Sequence, residues 1–320
     1  MEKQWYEQKE AVKTSLPIKL TLSLVRILPL PAVCTIVFPV SFCYFIFSKR
    51  ARGEVKRFQK QMKEFTGGHV PYRITVYRTI FSFSLYLIER IAGWVGKIQA
   101  EDIFFNDDDI DDYWENLESG RGVMILSSHL GNIDLLRSLS TMSRAGLNRV
   151  VPVTVIMEIK SAEKFNAVMK TVNPNYELTA IDPMDIGPDT ILQLQKKISR
   201  GEIIVATGDR VSAHSKNRFI TTKFLGKEAN FPYGVFLMAS LLECPIYYCF
   251  GLRDYPIMVR PVNSVYMEKS FVEFKNCGKK MREEKIKILC EEYVRKLEKY
   301  CMWFPNQWYN FFDFWNREEQ

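Results

Sequence analysis

The chain contains three histidines, His69, His129 and His214, and His129 sits where chemistry is easiest to build. In MILSSHLGNIDLLR, residues 124–137, an apolar run ends at Ser128 and is followed by His129, Leu130, Gly131, Asn132, Ile133 and Asp134. With the run as a strand and helical periodicity starting near Ile133, His129 stands at the mouth of a sheet, where open α/β sheets bind ligands. Across a tight Gly-Asn turn, an acid on the first helical turn can reach the imidazole. That contact would fix the ring tautomer, stabilise the imidazolium and leave the other nitrogen to accept a proton. The expectation is a general base, His129, oriented by Asp134, with the backbone N–H groups of Gly131 and Asn132 as candidate oxyanion donors at a helix start. A structural histidine bonded to a nearby carboxylate has the same spacing, so spacing by itself does not separate the two.

The elements that position such a group follow from the hydrophobic pattern. The runs GVMILSS (122–128), VVPVTVIM (150–157), EIIVAT (202–207) and PIYYCFGL (245–252) are apolar without alternation and predict buried strands. Between them, residues 133–144, 162–172 and 189–200 predict helices, the last closed by Gly201 as a C-terminal cap. Strands alternating with helices predict an α/β fold with a mixed, mostly parallel central sheet flanked by helices. Near the C-terminus Ile286, Leu289, Tyr293, Leu297 and Tyr300 form one helical stripe. The tail WFPNQWYNFFDFW suits either a membrane interface or a cap on the sheet.

Residues 27–48 carry no charge and are long enough to cross a bilayer as a helix of ~20 residues, although Pro29, Pro31 and Pro39 also fit a bent or re-entrant segment. A basic flank follows, in which Lys49, Arg50, Arg52, Lys56, Arg57, Lys60 and Lys63 face Glu54 alone. The division expected is an N-terminal membrane anchor with basic flank over 1–66 and a catalytic domain over 67–320, placed on the cytoplasmic side by the positive-inside rule. The second apolar stretch, 75–98, is interrupted by Arg78, Glu89 and Arg90, so it is expected to pack on the core rather than span.

Of the 320 residues 47% are hydrophobic, enough for one large core, and the formal charge of +7 points to an acidic partner. Nucleic acid is disfavoured, because the basic residues are dispersed and the aromatics lie in apolar runs. Seven cysteines without a CxxC pair suggest reduced thiols in a reducing compartment. Asp107, Asp109, Asp111 and Glu118 fall at calcium-loop positions, but Asp112 stands where the sharp turn needs Gly, so helix capping by Asn106 or an early Asp is the better reading.

SSHLGNID resembles the catalytic block of the lysophospholipid acyltransferase superfamily, and its His-x-Gly-Asn-x-acid wording resembles the late lipid A acyltransferase branch. The resemblance extends over the anchor and basic flank, GDR at 208–210, FLGKEANFPYG at 224–234 and PNQWYNFF at 305–312. WYEQKE at the start, FNAVMKTVNPN and the GDR block are similar to a sub-branch found in bacterial polyene pigment pathways.

The resemblance implies a glycerol-3-phosphate acyltransferase-like fold and a bacterial inner-membrane enzyme that needs no metal or cofactor. The donor would be an acyl carrier protein or coenzyme A thioester, and the acceptor a hydroxyl or amine of a lipid or lipid-linked molecule. It implies His129 as base and Asp134 as its partner. Asp209 and Arg210 would lie at the edge of the site, where Arg210 binds a phosphate or carboxylate or stabilises an oxyanion. A local Asp209–Arg210 ion pair is the structural alternative. Phe224, Gly226, Phe231, Pro232 and Gly234 would shape an acceptor pocket or acyl channel, or else simply mark turns. Two departures, Ile133 and Asp134 where lipid A enzymes usually carry Glu after Trp, and no Arg within 151–199, point away from lipid A as acceptor.

Two other classes remain open on the residues: a metal-dependent hydrolase using His129, Asp134, Asp209 and His214, and a membrane adaptor without catalysis. The first lacks an HExxH-like spacing; the second has no evident need of both His129 and an acid.

Overall fold

The computed structural model describes residues 16–70, 73–98, 102–105, 109–137, 151–158, 168, 179–211, 218–254 and 263–315. The helix expected over 162–172 and the segments around Asn106, Asp107 and His214 lie outside them, Val168 excepted.

Four of the predicted runs form central strands. β1 (Ile103–Phe105), β2 (Val123–Ser127), β3 (Val153–Ile156), β4 (Thr179–Ile181), β5 (Ile203–Thr207), β8 (Ile246–Arg253) and β9 (Asn263–Lys269) make one sheet in the order β1-β9-β8-β2-β5-β3-β4. Every pairing is parallel except β8 with β9, so the sheet is mixed and mostly parallel. β6 (Phe219–Phe224) and β7 (Lys227–Pro232) form a separate antiparallel hairpin. Because side chains alternate across a strand, Met124 and Leu126 enter one core with Ile204, Ala206, Tyr248 and Phe250. Val123 and Ile125 enter the other, with Val205, Tyr247 and Cys249. Burial on both faces explains why these strands read as unbroken apolar runs.

Helices cover both faces. α5 (Asp109–Glu118) buries Ile110, Tyr113, Trp114 and Leu117 on one. On the other lie α6 (Pro188–Ser199), α7 (Tyr233–Leu242) and α8 (Lys279–Trp303). α6 ends at Gly201, whose φ of 75° is the left-handed cap expected there. In α8 the stripe Ile286, Leu289, Tyr293, Leu297 and Tyr300 is fully buried, each side chain stabilising by roughly 1.5–3 kcal/mol. All seven cysteines are free thiols.

The N-terminal region is helical, but not as the single element over 27–48. α1 (Leu16–Ile27) stops before Pro29, and α2 (Leu30–Phe47) starts after it, with Pro29 extended at φ −63°, ψ 146°. The residue before a proline is pushed out of the helical region, so Leu28 falls outside α1 and the extended Pro29 caps the start of α2. α2 is by length and composition able to cross a membrane, and 22% of it is buried. α3 (Lys49–Phe65) precedes the boundary expected at residue 66, yet it buries Phe58 and Met62 in the main core. Its other face is basic, with Lys49, Arg50, Lys56, Lys60 and Lys63 exposed. α4 (Val76–Trp94), capped by Thr75, corresponds to the second apolar stretch and packs against α2 and the main body. Its interrupting charges include Glu89 and Arg90, which turn inward to ion-pair with Arg253 and Asp134.

Candidate active site

The central strands bring two distant blocks together. β2 and β5 are parallel neighbours in the register Ser127↔Thr207, so the residues two positions beyond each strand, His129 and Asp209, emerge side by side. Gly208 N–H donates to Ser127 O at 3.0 Å. A Cβ on Gly208 would come within 2.9 Å of the Tyr293 ring, so glycine here lets α8 close beneath the site while Tyr293 Oη donates to Ser127 O.

Asp209 grips His129 twice. Oδ1 lies 2.9 Å from His129 Nδ1, and Oδ2 accepts from the His129 backbone N–H at 2.9 Å. Oδ2 also accepts from Asn310 Nδ2 at 2.9 Å. Burial raises the Asp209 carboxyl, but the charge that His129 carries once protonated at acid pH, the three hydrogen bonds and the Arg210 charge outweigh it and hold the group down at about 2. Burial and the Arg210 charge outweigh Asp209 at the imidazole, so the pKa of His129 lies below its usual 6.5. The ring is deep but not sealed: 31% of its side chain meets solvent, and among the described residues nothing bonds Nε2. The pair therefore favours the neutral imidazole at pH 7, with Nδ1 held by Asp209.

This corrects the expected pairing. The carboxylate on Nδ1 is Asp209, not Asp134, and Asp209 is buried against His129 rather than lying at the rim. Asp134 is drawn elsewhere because its N–H bonds the Asn132 side chain at 3.0 Å and the chain enters a 3₁₀ turn, Ile133–Arg137; residues 138–144 of the helix expected over 133–144 lie outside the described residues. Its carboxylate sits 2.9 Å from Arg90 Nε, and Tyr86 Oη donates to it at 3.5 Å. Burial pushes the Tyr86 phenol up to about 12.

The backbone donors proposed for an oxyanion are also committed. Gly131 N–H donates to Gln307 O at 2.9 Å, and Asn132 N–H to Gly251 O at 2.6 Å. A Cβ on Gly131, whose φ is 75°, would stand 2.2 Å from Gly251 O, so the loop lies directly on the β8 backbone. Arg210 is instead held over the site by the C-terminal segment. Its Nε donates to Asn310 Oδ1 at 2.7 Å, Nη2 reaches Tyr309 O at 3.4 Å, and the guanidinium lies 5.8 Å from the Phe312 ring. Asp209 and Arg210 thus share one partner, Asn310, which meets them through opposite ends of its amide.

The residues expected to shape a pocket or mark turns are placed by packing and by the hairpin. Phe224 and Phe231 are fully buried, packed edge-on to one another and to Phe314, and Phe224 also stacks on Trp315. Pro232 is buried at the hairpin end, while Gly226 and Gly234 are exposed. Gly226, at φ 80°, makes the tight turn, and a Cβ there would come within 3.2 Å of the Phe65 ring. Among the described residues no three His, Cys, Asp or Glu gather as a metal donor set.

Sequence reasoning missed the supports from α4 and the tail. Tyr309 N–H donates to His129 O at 3.1 Å, and Leu130 pairs with Trp308 in an antiparallel bridge. The Gln307 side chain clasps the Arg253 backbone at both ends, and Arg253 meets the buried Glu89 at 2.6 Å. The tail block PNQWYNFF thus caps the sheet beside the histidine. Fold and site together define an α/β protein with a His–Asp pair at the C-terminal ends of adjacent parallel strands. No family model matches the chain, and comparison with curated proteins finds no match either.

Proposed function

We propose that this chain is an acyltransferase that moves an acyl group from an acyl carrier protein or coenzyme A thioester to a hydroxyl or amine of a lipid or lipid-linked acceptor. The observation that carries the reading is His129, with Nδ1 bonded to the buried Asp209 and 31% of its side chain exposed to solvent. Nε2 takes the acceptor's proton as its oxygen or nitrogen attacks the thioester carbon. The C–S bond then breaks, and the imidazolium returns the proton to the leaving thiolate, giving acylated acceptor and free thiol. In this reading Arg210, held by Asn310 and Tyr309, balances charge on the intermediate's oxygen.

The fold reading is glycerol-3-phosphate acyltransferase-like. α2 is the membrane seat, in a bacterial inner membrane with the site on the cytoplasmic side, supported by its apolar exposed surface and the basic face of α3 that follows. The test is incubation of His129→Ala with defined acyl carrier protein and coenzyme A thioesters and a membrane extract, with products read by mass spectrometry. Transfer is expected to vanish while circular dichroism and sedimentation with membranes stay unchanged. An active, folded variant would sink the reading.

A further inference from the structure

We propose that Asn310, in the C-terminal tail, is a positioning residue that sets the protonation of the His129–Asp209 pair and the aim of Arg210 through the two ends of one amide. The proposal rests on the reading of His129 as a general base.

The amide stands between the two functional groups with opposite polarity toward each. Its Nδ2 donates to Asp209 Oδ2 at 2.9 Å, and its Oδ1 accepts from Arg210 Nε at 2.7 Å. An aspartate at this position would set a second carboxylate against Asp209, and a lysine would set a second cation against Arg210. A neutral side chain carrying both a donor and an acceptor satisfies both neighbours at once. Asn310 is buried, and its place is enforced by chain pairing on the same stretch: Gly131 N–H to Gln307 O, Leu130 with Trp308, and Tyr309 N–H to His129 O. The tail therefore runs beside the histidine loop, and Asn310 falls opposite Asp209.

The chemical consequence is directional. The Nδ2 bond draws charge density from Asp209, and the Oδ1 bond keeps the Arg210 cation near the imidazole. Both hold the imidazole toward its neutral, proton-accepting form. Among the described residues, the other titratable groups facing this cluster are Tyr293 and Cys301 from α8, Tyr86 from α4 and Glu158 beyond β3. Tyr309 lies within the tail itself. None of these bridges Asp209 to Arg210 as the amide does.

The test compares Asn310→Ala, which removes both bonds, with the near-isosteric Asn310→Asp, which keeps an acceptor for Arg210 but turns a carboxylate toward Asp209. The His129 titration is followed by NMR of isotope-labelled histidine in the full-length protein without substrate, with the signal assigned by His129→Gln. Both variants are expected to raise the His129 pKa by about half a unit or more. Each should move the acid limb of the rate profile to higher pH and lower kcat ~10-fold or more, with KM for the thioester little changed. A His129 titration that stays in place in a folded Asn310→Asp variant would overturn the proposal, whatever its melting temperature. Because the titration needs no substrate, that result is distinct from an active His129→Ala, which would overturn the acyltransferase reading instead.

Discussion

At the scale of the residue, the question the site poses is which acid serves the histidine. Asp209 contacts His129 through both oxygens, whereas Asp134 is held by Arg90. Asp209→Asn should therefore lower kcat by ~10²–10⁴, as loss of an orienting carboxylate does, while Asp134→Asn should cost far less in kcat and show mainly as lost stability. Steady-state kinetics of the two variants side by side checks the ranking, and the reverse order would return the role to Asp134. The pH dependence follows from the same contacts. With its pKa below 6.5, His129 is neutral at pH 7, so kcat/KM should be flat there and fall only on the acid side, with a midpoint below 6.5. Folding stability moves in the same direction. The unfolded histidine takes up its proton first as pH drops through 6.5, which weakens the folded state. The stabilisation carried by Asp209 is present above 3.8 and is lost as pH falls toward about 2. Melting temperature against pH should decline on the acid side in both windows.

At the scale of the element, the site depends on two close approaches that leave no room for error. The Gly131 loop lies on the β8 backbone, with Gly251 presenting the matching gap: a Cβ on Gly251 would stand 2.4 Å from Asn132 O. Gly131→Ala should cost roughly 2–4 kcal/mol through left-handed strain and backbone overlap, and it should displace His129 with the loop. Denaturant melts and activity should fall together, and a stable, active Gly131→Ala would show that the loop has another seat. The second approach is α4 against β8, where Glu89 and Arg253 form a buried pair at 2.6 Å. Glu89→Ala leaves a buried guanidinium without its counter-charge and should cost about 3–5 kcal/mol. A double-mutant cycle with Arg253→Met measures the coupling.

At the scale of the whole molecule, the polarity of the surface is uneven. Val40, Ile46 and Phe47 on α2 are exposed, Phe47 by 83%, and the exposed basic side chains of α3 come directly after them. An exposed apolar helix followed by a cationic face suits an anionic bilayer, which takes the first in its hydrocarbon and the second at its headgroups. Replacing Val40, Ile46 and Phe47 together by Ser should move the protein from the membrane pellet to the supernatant without changing its circular dichroism. High salt on the unaltered protein should not, since the apolar contact is unscreened. A triple variant that still pellets would place the membrane contact elsewhere.

The hydrophobic pattern was sufficient for β2, β5 and β8, for the stripe of α8 and for α4 as a packed helix, because strand and helix periods are local properties of the chain. Even His129 was legible, standing two residues past an unbroken apolar run. Its partner was not, since Asp209 is 80 positions away and meets it only because β2 and β5 are parallel neighbours ending in register at Ser127 and Thr207. One signal was present: His129 and Asp209 each follow a buried run by the same step, but no local rule states which runs will be adjacent. Tertiary structure likewise committed the Gly131 and Asn132 amides to other backbone, filled the space inside the hairpin with Phe224 and Phe231, and brought Asn310 from the tail to the pair. Sequence by itself determined where His129 stands, a matter of strand ends. The sheet's strand order decided what orients it, because hydrogen bonds across 80 and 101 residues exist only once distant strands and the tail have packed.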